Sequence, residues 1–274
     1  MSFKNILFLF FVFCFISSFS QIILNRDTSL NITENGIAFN SAFSGGINAG
    51  QFSEIDLNLD GTMDLVVFDK SGDKISPFIN NNGNYIYAPK YRNTFPKVHD
   101  WMLLADYNCD GKNDIYTYSS SGMSIYKNTS TTNLSFSLVT SLVLSNYGPN
   151  NLNIYISPVD IPAIADIDYD GDLDILTFSI IGGFIEYHKN MAIELTGNCD
   201  TVAFELSESC WGLFYEGLNS YILNCQNCQC PPIVNNTNSK QKHAGSTLLA
   251  IDIDNDNDKD LVLGDVSYNN LNLL

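Results

Sequence analysis

Cationic side chains are scarce in this chain: 13 Lys and Arg stand against 30 Asp and Glu, giving a net charge of −17 and a pI near 4.2. A nucleic-acid binder is excluded on that count, because phosphate contacts need clustered Lys and Arg. Histidine is scarcer still. His99, His188 and His243 stand too far apart for a zinc-protease H-E-x-x-H, so each is expected in a surface or core role. No G-x-S-x-G nucleophile elbow occurs. Beyond the N-terminus no apolar run approaches the roughly 20 residues that a membrane helix requires, and helical periodicity is missing. Apolar residues are plentiful, at 45% hydrophobic and 12% aromatic over 274 residues. That excludes disorder as the overall state and leaves room for one large or two ordinary domains.

The first twenty residues have the form of an address. Lys4 precedes an apolar run over 6–16, and Ser17, Ser18, Phe19 and Ser20 follow. A positive start, a short apolar stretch and small residues at the end describe a secretory signal peptide over 1–20, with cleavage expected after Ser20. Phe13 before Cys14 argues against a lipoprotein anchor. The mature chain, 21–274, would then be exported, and its six cysteines would meet an oxidising compartment.

One nine-residue pattern recurs four times: DLNLDGTMD (56–64), DYNCDGKND (106–114), DIDYDGDLD (166–174) and DIDNDNDKD (252–260). Positions 1, 3, 5 and 9 are always Asp or Asn, and position 6 is Gly61, Gly111, Gly171 or Asn257. These windows hold sixteen of the 30 acidic residues, so the charge is concentrated rather than spread over a solvating surface. Carboxylates about 4 Å apart would repel by roughly 4 kcal/mol per pair at an effective dielectric near 20, which a cation would relieve. Ca²⁺ takes six to eight oxygens, and a looping backbone turns alternate side chains inward to supply them. Gly or Asn midway permits the left-handed turn, and position 7 can offer its backbone carbonyl whatever its side chain. The expected ligands are Asp56, Asn58, Asp60, Thr62 and Asp64 in the first loop and Asp106, Asn108, Asp110, Lys112 and Asp114 in the second. In the third they are Asp166, Asp168, Asp170, Asp172 and Asp174, and in the fourth Asp252, Asp254, Asp256, Asp258 and Asp260. Up to four structural Ca²⁺ ions are therefore expected.

What flanks the loops excludes an EF-hand, which needs Glu at position 12 and helices on both sides. Position 12 is Val67, Thr117, Thr177 and Leu263. Each loop instead enters a β-prone segment (65–68, 115–118, 175–178, 261–263). Turn residues follow, such as Ser71-Gly72, Ser121-Gly122 and Gly182-Gly183, then a second apolar run (75–79, 123–126, 184–187, 271–274). Apolar residues also precede the loops at 101–105, 163–165 and 248–251. The pattern predicts an all-β protein of antiparallel sheet. The loops start 50, 60 and 86 residues apart, and about 50–60 residues suit a four-stranded propeller blade. The longer third interval predicts an insertion at about 194–242. Phe52, Trp101 and Tyr118, near the loops, are expected to pack the blades.

The D-x-[DN]-x-D-G-x-x-D loops between strands resemble FG-GAP (VCBS-type) repeats, known from integrin α-subunit propellers and from many secreted bacterial proteins. Stretches such as GGINAGQFSEIDLNLDG, EYHKN, CWGLFYE and HAGSTLLAIDIDNDNDKDLVLGD resemble exported repeat proteins of Bacteroidetes, many of which end in a C-terminal sorting domain. The resemblance covers about residues 45–274. It implies Ca²⁺ on one rim of a seven-bladed propeller. Seven blades would need about 350–420 residues, so four repeats are expected to be a partial ring from a longer chain.

The insertion carries Cys199, Cys210, Cys225, Cys228 and Cys230, which could be disulfide staples or a zinc cluster. An exported chain favours disulfides. If the five pair among themselves one is left over, and Cys109 is either its partner or a free thiol. Without a catalytic constellation, the leading expectation is a secreted, calcium-stabilised recognition or adhesion scaffold for an extracellular glycan or protein. A non-catalytic or catalytic propeller part of a secreted polysaccharide-degrading enzyme is the alternative, since paired carboxylates can do glycoside chemistry. A structural surface-layer or secretion component is the third.

Overall fold

The computed structural model describes residues 30–39, 41–180, 182–217, 220–224, 245–265 and 271–274. The proposed signal peptide, His243, Cys225, Cys228 and Cys230 lie outside them. The chain divides into a small unit, Met1–Phe43, and a large one, Ser44–Leu274. In the small unit β1 (Thr33–Glu34) and β2 (Ile37–Ala38) form an antiparallel hairpin.

The large unit holds four antiparallel blades in a β-propeller arrangement. Blade 1 contains β3 (Gly50–Ile55), β4 (Asp64–Asp69), β5 (Lys74–Asn81) and β6 (Asn84–Tyr87), paired in chain order. Blade 2 repeats this with β7 (Met102–Ala105), β8 (Asp114–Ser119), β9 (Gly122–Asn128) and β10 (Phe136–Thr140). A hairpin of β11 (Leu144–Asn146) and β12 (Asn151–Asn153) follows. Blade 3 has β13 (Ala163–Ala165), β14 (Asp174–Phe178), β15 (Ile185–Asn190) and β16 (Phe204–Glu208), and β11 extends it by pairing parallel to β16. After the hairpin β17 (Tyr215–Gly217) and β18 (Ser220–Ile222), blade 4 contributes β19 (Gly245–Ile251), β20 (Asp260–Asp265) and β21 (Leu271–Leu273). No described helix is long and apolar enough to cross a membrane.

Alternation along the strands decides how the blades stack. Side chains of a strand point to opposite faces in turn, and here each face meets a neighbouring blade. Ile55, Val66, Phe68 and Ile75 of blade 1 pack with Met102 and Ile115 of blade 2. Tyr116, Met123 and Ile125, on the other face of blade 2, pack with Ile175 of blade 3. Leu176, Phe178, Ile185 and Tyr187 then meet Leu248, Ala250, Leu261 and Leu263 of blade 4. Both faces of an inner blade are thus dry, which explains β-prone runs with little polar interruption. On blade 4 the opposite face leaves Leu249, Ile251, Leu271 and Leu273 exposed.

Two local expectations are corrected, and a short α-helix stands within an otherwise nearly all-β fold. Trp101 is fully buried and Tyr118 packs against the core between blades 2 and 3, but Phe52 is 63% exposed rather than packed between blades. It lies with Leu103, Ile164 and Leu249 on the wall of an open cavity of about 940 Å³ bounded by the first strand of every blade. A short helix, α1 (Ala192–Thr196), interrupts the all-β pattern and ends on Gly197 in the left-handed conformation. Residues 204–208, assigned to the insertion from sequence, form the fourth strand of blade 3.

Candidate metal centre

All four acidic loops join the first and second strands of a blade in one register. Position 9 pairs with the residue before position 1: Asp64 with Ile55, Asp114 with Ala105, Asp174 with Ala165 and Asp260 with Ile251. The loops therefore occupy equivalent places, and the expected ligands of each are brought together around one turn.

Their hydrogen bonds repeat as well. The position-1 carboxylate accepts from the backbone N–H groups of positions 5 and 6. Asp56 does so at 3.1 and 2.8 Å, Asp106 at 3.1 and 2.7 Å, Asp166 at 3.1 Å from both, and Asp252 at 3.2 and 3.3 Å. The position-5 carboxylates of Asp60, Asp110, Asp170 and Asp256 each accept from the N–H of position 7. Thr62, Lys112, Asp172 and Asp258 are thus fixed through their backbone, while Lys112 sends its ammonium to the carbonyl of Ser130.

Position 9 works differently from its expected role as a loop ligand alone. Asp64, Asp114 and Asp174 are at most 1% exposed. One oxygen of each accepts from the N–H of position 2 (Leu57, Tyr107, Ile167), and the other from the N–H of Asn80, Asn128 or Asn190 on the third strand. Those asparagines return the tie, donating Nδ2 to the carbonyl of position 8. Each clasp therefore joins loop, second strand and third strand. Position 2 adds an apolar anchor, with Leu57, Tyr107 and Ile167 in the cores between blades.

Each loop contains two left-handed residues. Position 6 is the expected one, with φ of 85° at Gly61, 81° at Gly111, 105° at Gly171 and 69° at Asn257. Position 4 is the other: Leu59, Cys109, Tyr169 and Asn255 lie at φ 57–62°. A Cβ on Gly111 would meet nothing within 4 Å, so Gly111→Ala isolates backbone strain. It should cost about 1–2 kcal/mol in a thermal melt.

The carboxylates are crowded and partly dry. Burial pushes Asp114 and Asp174 up to about 7 and Asp172 up to about 6, against the downward pull of the amides bonded to them. Asp64 and Asp166 are raised for the same reason. In the fourth loop the Asp256 charge is the main cause raising Asp254, and a hydrogen bond with Asp256 raises Asp258. Asp60 is lowered, chiefly by the Asn58 amide.

Whether these residues fit a cation is tested by oxygens without partners. Asn108 Oδ1 and Asp172 Oδ1 are buried and accept no hydrogen bond. Carboxylate oxygens of Asp166, Asp168 and Asp174 lie within 4.8 Å of one another, as do those of Asp252, Asp254 and Asp260. An all-oxygen donor set of this kind suits a hard cation such as Ca²⁺. Glu194 of α1, absent from the sequence-derived ligand set, forms a further group with Asp168 and Asp170.

Two other polar features bear on function. Cys109, at position 4 of the second loop, is disulfide-bonded to Cys199, which settles Cys109 as a partner rather than a free thiol. Cys210 is also disulfide-bonded. In blade 3, His188 Nδ1 lies 3.0 Å from Ser145 Oγ and its Nε2 lies 3.5 Å from Glu186. Although that order resembles a hydrolase triad, His188 is fully buried and Ser145 is 1% exposed, and the set joins β11 to blade 3.

The class that this fold and these loops define is a β-propeller with FG-GAP-like repeats across its first three acidic loops. The chain matches the FG-GAP-like repeat family over residues 56–117 and again over 106–177, each span running from one acidic loop through the next. A solved structure of an Agrocybe aegerita lectin, described as recognising non-reducing terminal N-acetylglucosamine, is similar at 16% identity and a TM-score of 0.38. The similarity covers 78% of this chain and 47% of the lectin, so the chain spans about half that protein's length. No curated protein matches the chain.

Proposed function

We propose that this protein is an exported, calcium-stabilised recognition scaffold that binds an extracellular glycan or protein without catalysing a reaction on it. The observation that carries the reading is the fourfold recurrence of one loop, alike in register and hydrogen bonding, on equivalent corners of an FG-GAP-repeat propeller, with carboxylate oxygens converging in the third and fourth copies. Ca²⁺ here is structural: it offsets the crowded carboxylates and fixes the turn that leads into each second strand. Export is supported by the form of residues 1–20 and is compatible with the Cys109–Cys199 disulfide. Within this reading the buried Ser145 and His188 serve to hold β11 against blade 3.

Differential melting tests the calcium reading. Extracellular Ca²⁺ modules bind with Kd of about 10⁻⁴–10⁻³ M, and at ten times Kd each site adds about 1.4 kcal/mol. Four sites should raise Tm by roughly 10–20 °C in a domain of this size. Equal melting in millimolar Ca²⁺ and in EDTA would remove the basis of the proposal. Recognition is tested by a glycan panel that records binding and turnover together, with turnover favouring the enzymatic alternative.

A further inference from the structure

The four loops differ in one respect that their aspartate content conceals. On the third strand of each of the first three blades, the residue before the clasp asparagine differs: Ile79, Lys127 and Lys189. Ile79 brings no charge. Lys127 lies 3.3 Å from Asp200 and 4.0 Å from Asp110, at the edge of the second loop. Lys189 reaches into the third loop, where its ammonium pairs with Asp168, with Asp170 at 3.1 Å and with Glu194 of α1. Those aspartates are positions 3 and 5, both expected ligands. Among the described residues, no Lys or Arg pairs with a carboxylate of the fourth loop. Its own Lys259 sits 4.1 Å from the centroid of the Tyr169 ring, whose hydroxyl donates to Asp252 at 3.1 Å.

We propose that Lys189 is a resident cation of the third loop, holding the Asp168 and Asp170 oxygens that a divalent ion needs, so that this loop binds Ca²⁺ more weakly than the fourth. The inference rests on the calcium reading above and adds an order of filling to it. An ammonium and a divalent ion at one set of oxygens repel, and the ion binds only when Lys189 withdraws. Glu194 provides the alternative partner, since its carboxylate already pairs with the ammonium. Loops equal in aspartates, five each in the third and fourth, thus become unequal sites.

Calorimetric titration of the full chain with CaCl₂ tests this. Lys189→Met should tighten one binding step by about tenfold, as expected for removing a like charge a few ångström from the ion. Lys189→Arg, which keeps the charge, should leave that step as in the wild type. Asp254→Asn should abolish a tighter step than Asp168→Asn does, and this pair decides the matter should Lys189→Met not fold without the ion. Unchanged affinities in Lys189→Met, or loss of the tightest step in Asp168→Asn, would overturn the proposal while the calcium reading stands. A wild-type chain that takes up no Ca²⁺ would instead bring down the reading beneath it.

Discussion

Asp174→Ala is expected to destabilise the protein by about 3–5 kcal/mol even when no divalent ion is present. The Asp174 carboxylate is fully buried and accepts from the N–H groups of Ile167 and Asn190 at 2.9 and 2.8 Å, with the Tyr187 hydroxyl at 3.2 Å. Truncation leaves these donors buried without an acceptor. Each such group costs about 1–3 kcal/mol, and losses of this size arise where buried hydrogen-bond networks are broken. Asp174→Asn should fall between, because its carbonyl oxygen can serve one amide while its NH₂ faces the other donor. Asp168→Ala, at partly exposed position 3, should cost under about 1 kcal/mol, since exposed ion pairs contribute little. Urea unfolding of the three variants in EDTA separates this clasp from any effect of the ion. An Asp174→Ala variant within about 1 kcal/mol of wild type would show that the amides find other partners and that position 9 is not the pin of the repeat.

The experiment bears on what the nine-residue pattern encodes. Its oxygens at positions 1, 3, 5 and 9 suggest a cation and nothing else when read along the chain. In three dimensions positions 1 and 9 are engaged by backbone amides, and the loop has its shape from those bonds. The same aspartates therefore serve two ends. They hold the turn, and they present their remaining lone pairs to whatever sits inside it.

Local features were the readable part. The turn at position 6 follows from Gly or Asn, the strands from short β-prone runs, and the blade from the 50- and 60-residue spacing. What stayed hidden depends on partners distant in sequence. Asn80, Asn128 and Asn190 close the clasps 16, 14 and 16 residues after position 9, and only the sheet register brings them there. Position 4 gave no warning, because Leu, Cys, Tyr and Asn share no preference that marks a left-handed residue; the surrounding bonds impose it. Lys189 and Glu194 are unremarkable on the sequence and meet only after β15 and α1 have formed. The boundary of the third blade was misplaced for a related reason: β16 follows an irregular stretch, and its pairing with β15 is not written in its own few residues.

The second large effect concerns the link between loops. Replacing both Cys109 and Cys199 by serine is expected to lower stability by about 2–4 kcal/mol. The bridge closes a segment of 90 residues that includes the last three strands of blade 2 and the first three of blade 3. On the chain-entropy account a loop of that length is constrained by about 4–5 kcal/mol, and measured values generally fall below such estimates. Native contacts add to the effect. Both sulfurs lie 3.4–3.6 Å from the carbonyl oxygen of Gly171 in the third loop. Asp200, next to Cys199, lies within 3.3–3.5 Å of Lys127 and of Asn108 in the second loop. The staple thus ties position 4 of one acidic loop to the rim of the next, and its removal should loosen the Asp200 contacts as well. Urea unfolding of the double serine variant beside the oxidised wild type measures the cost, and alkylation without reductant followed by peptide mass analysis confirms that both thiols are blocked in the latter. If the two proteins unfold at the same midpoint, the constraint lies elsewhere and the blades hold this rim together by packing alone.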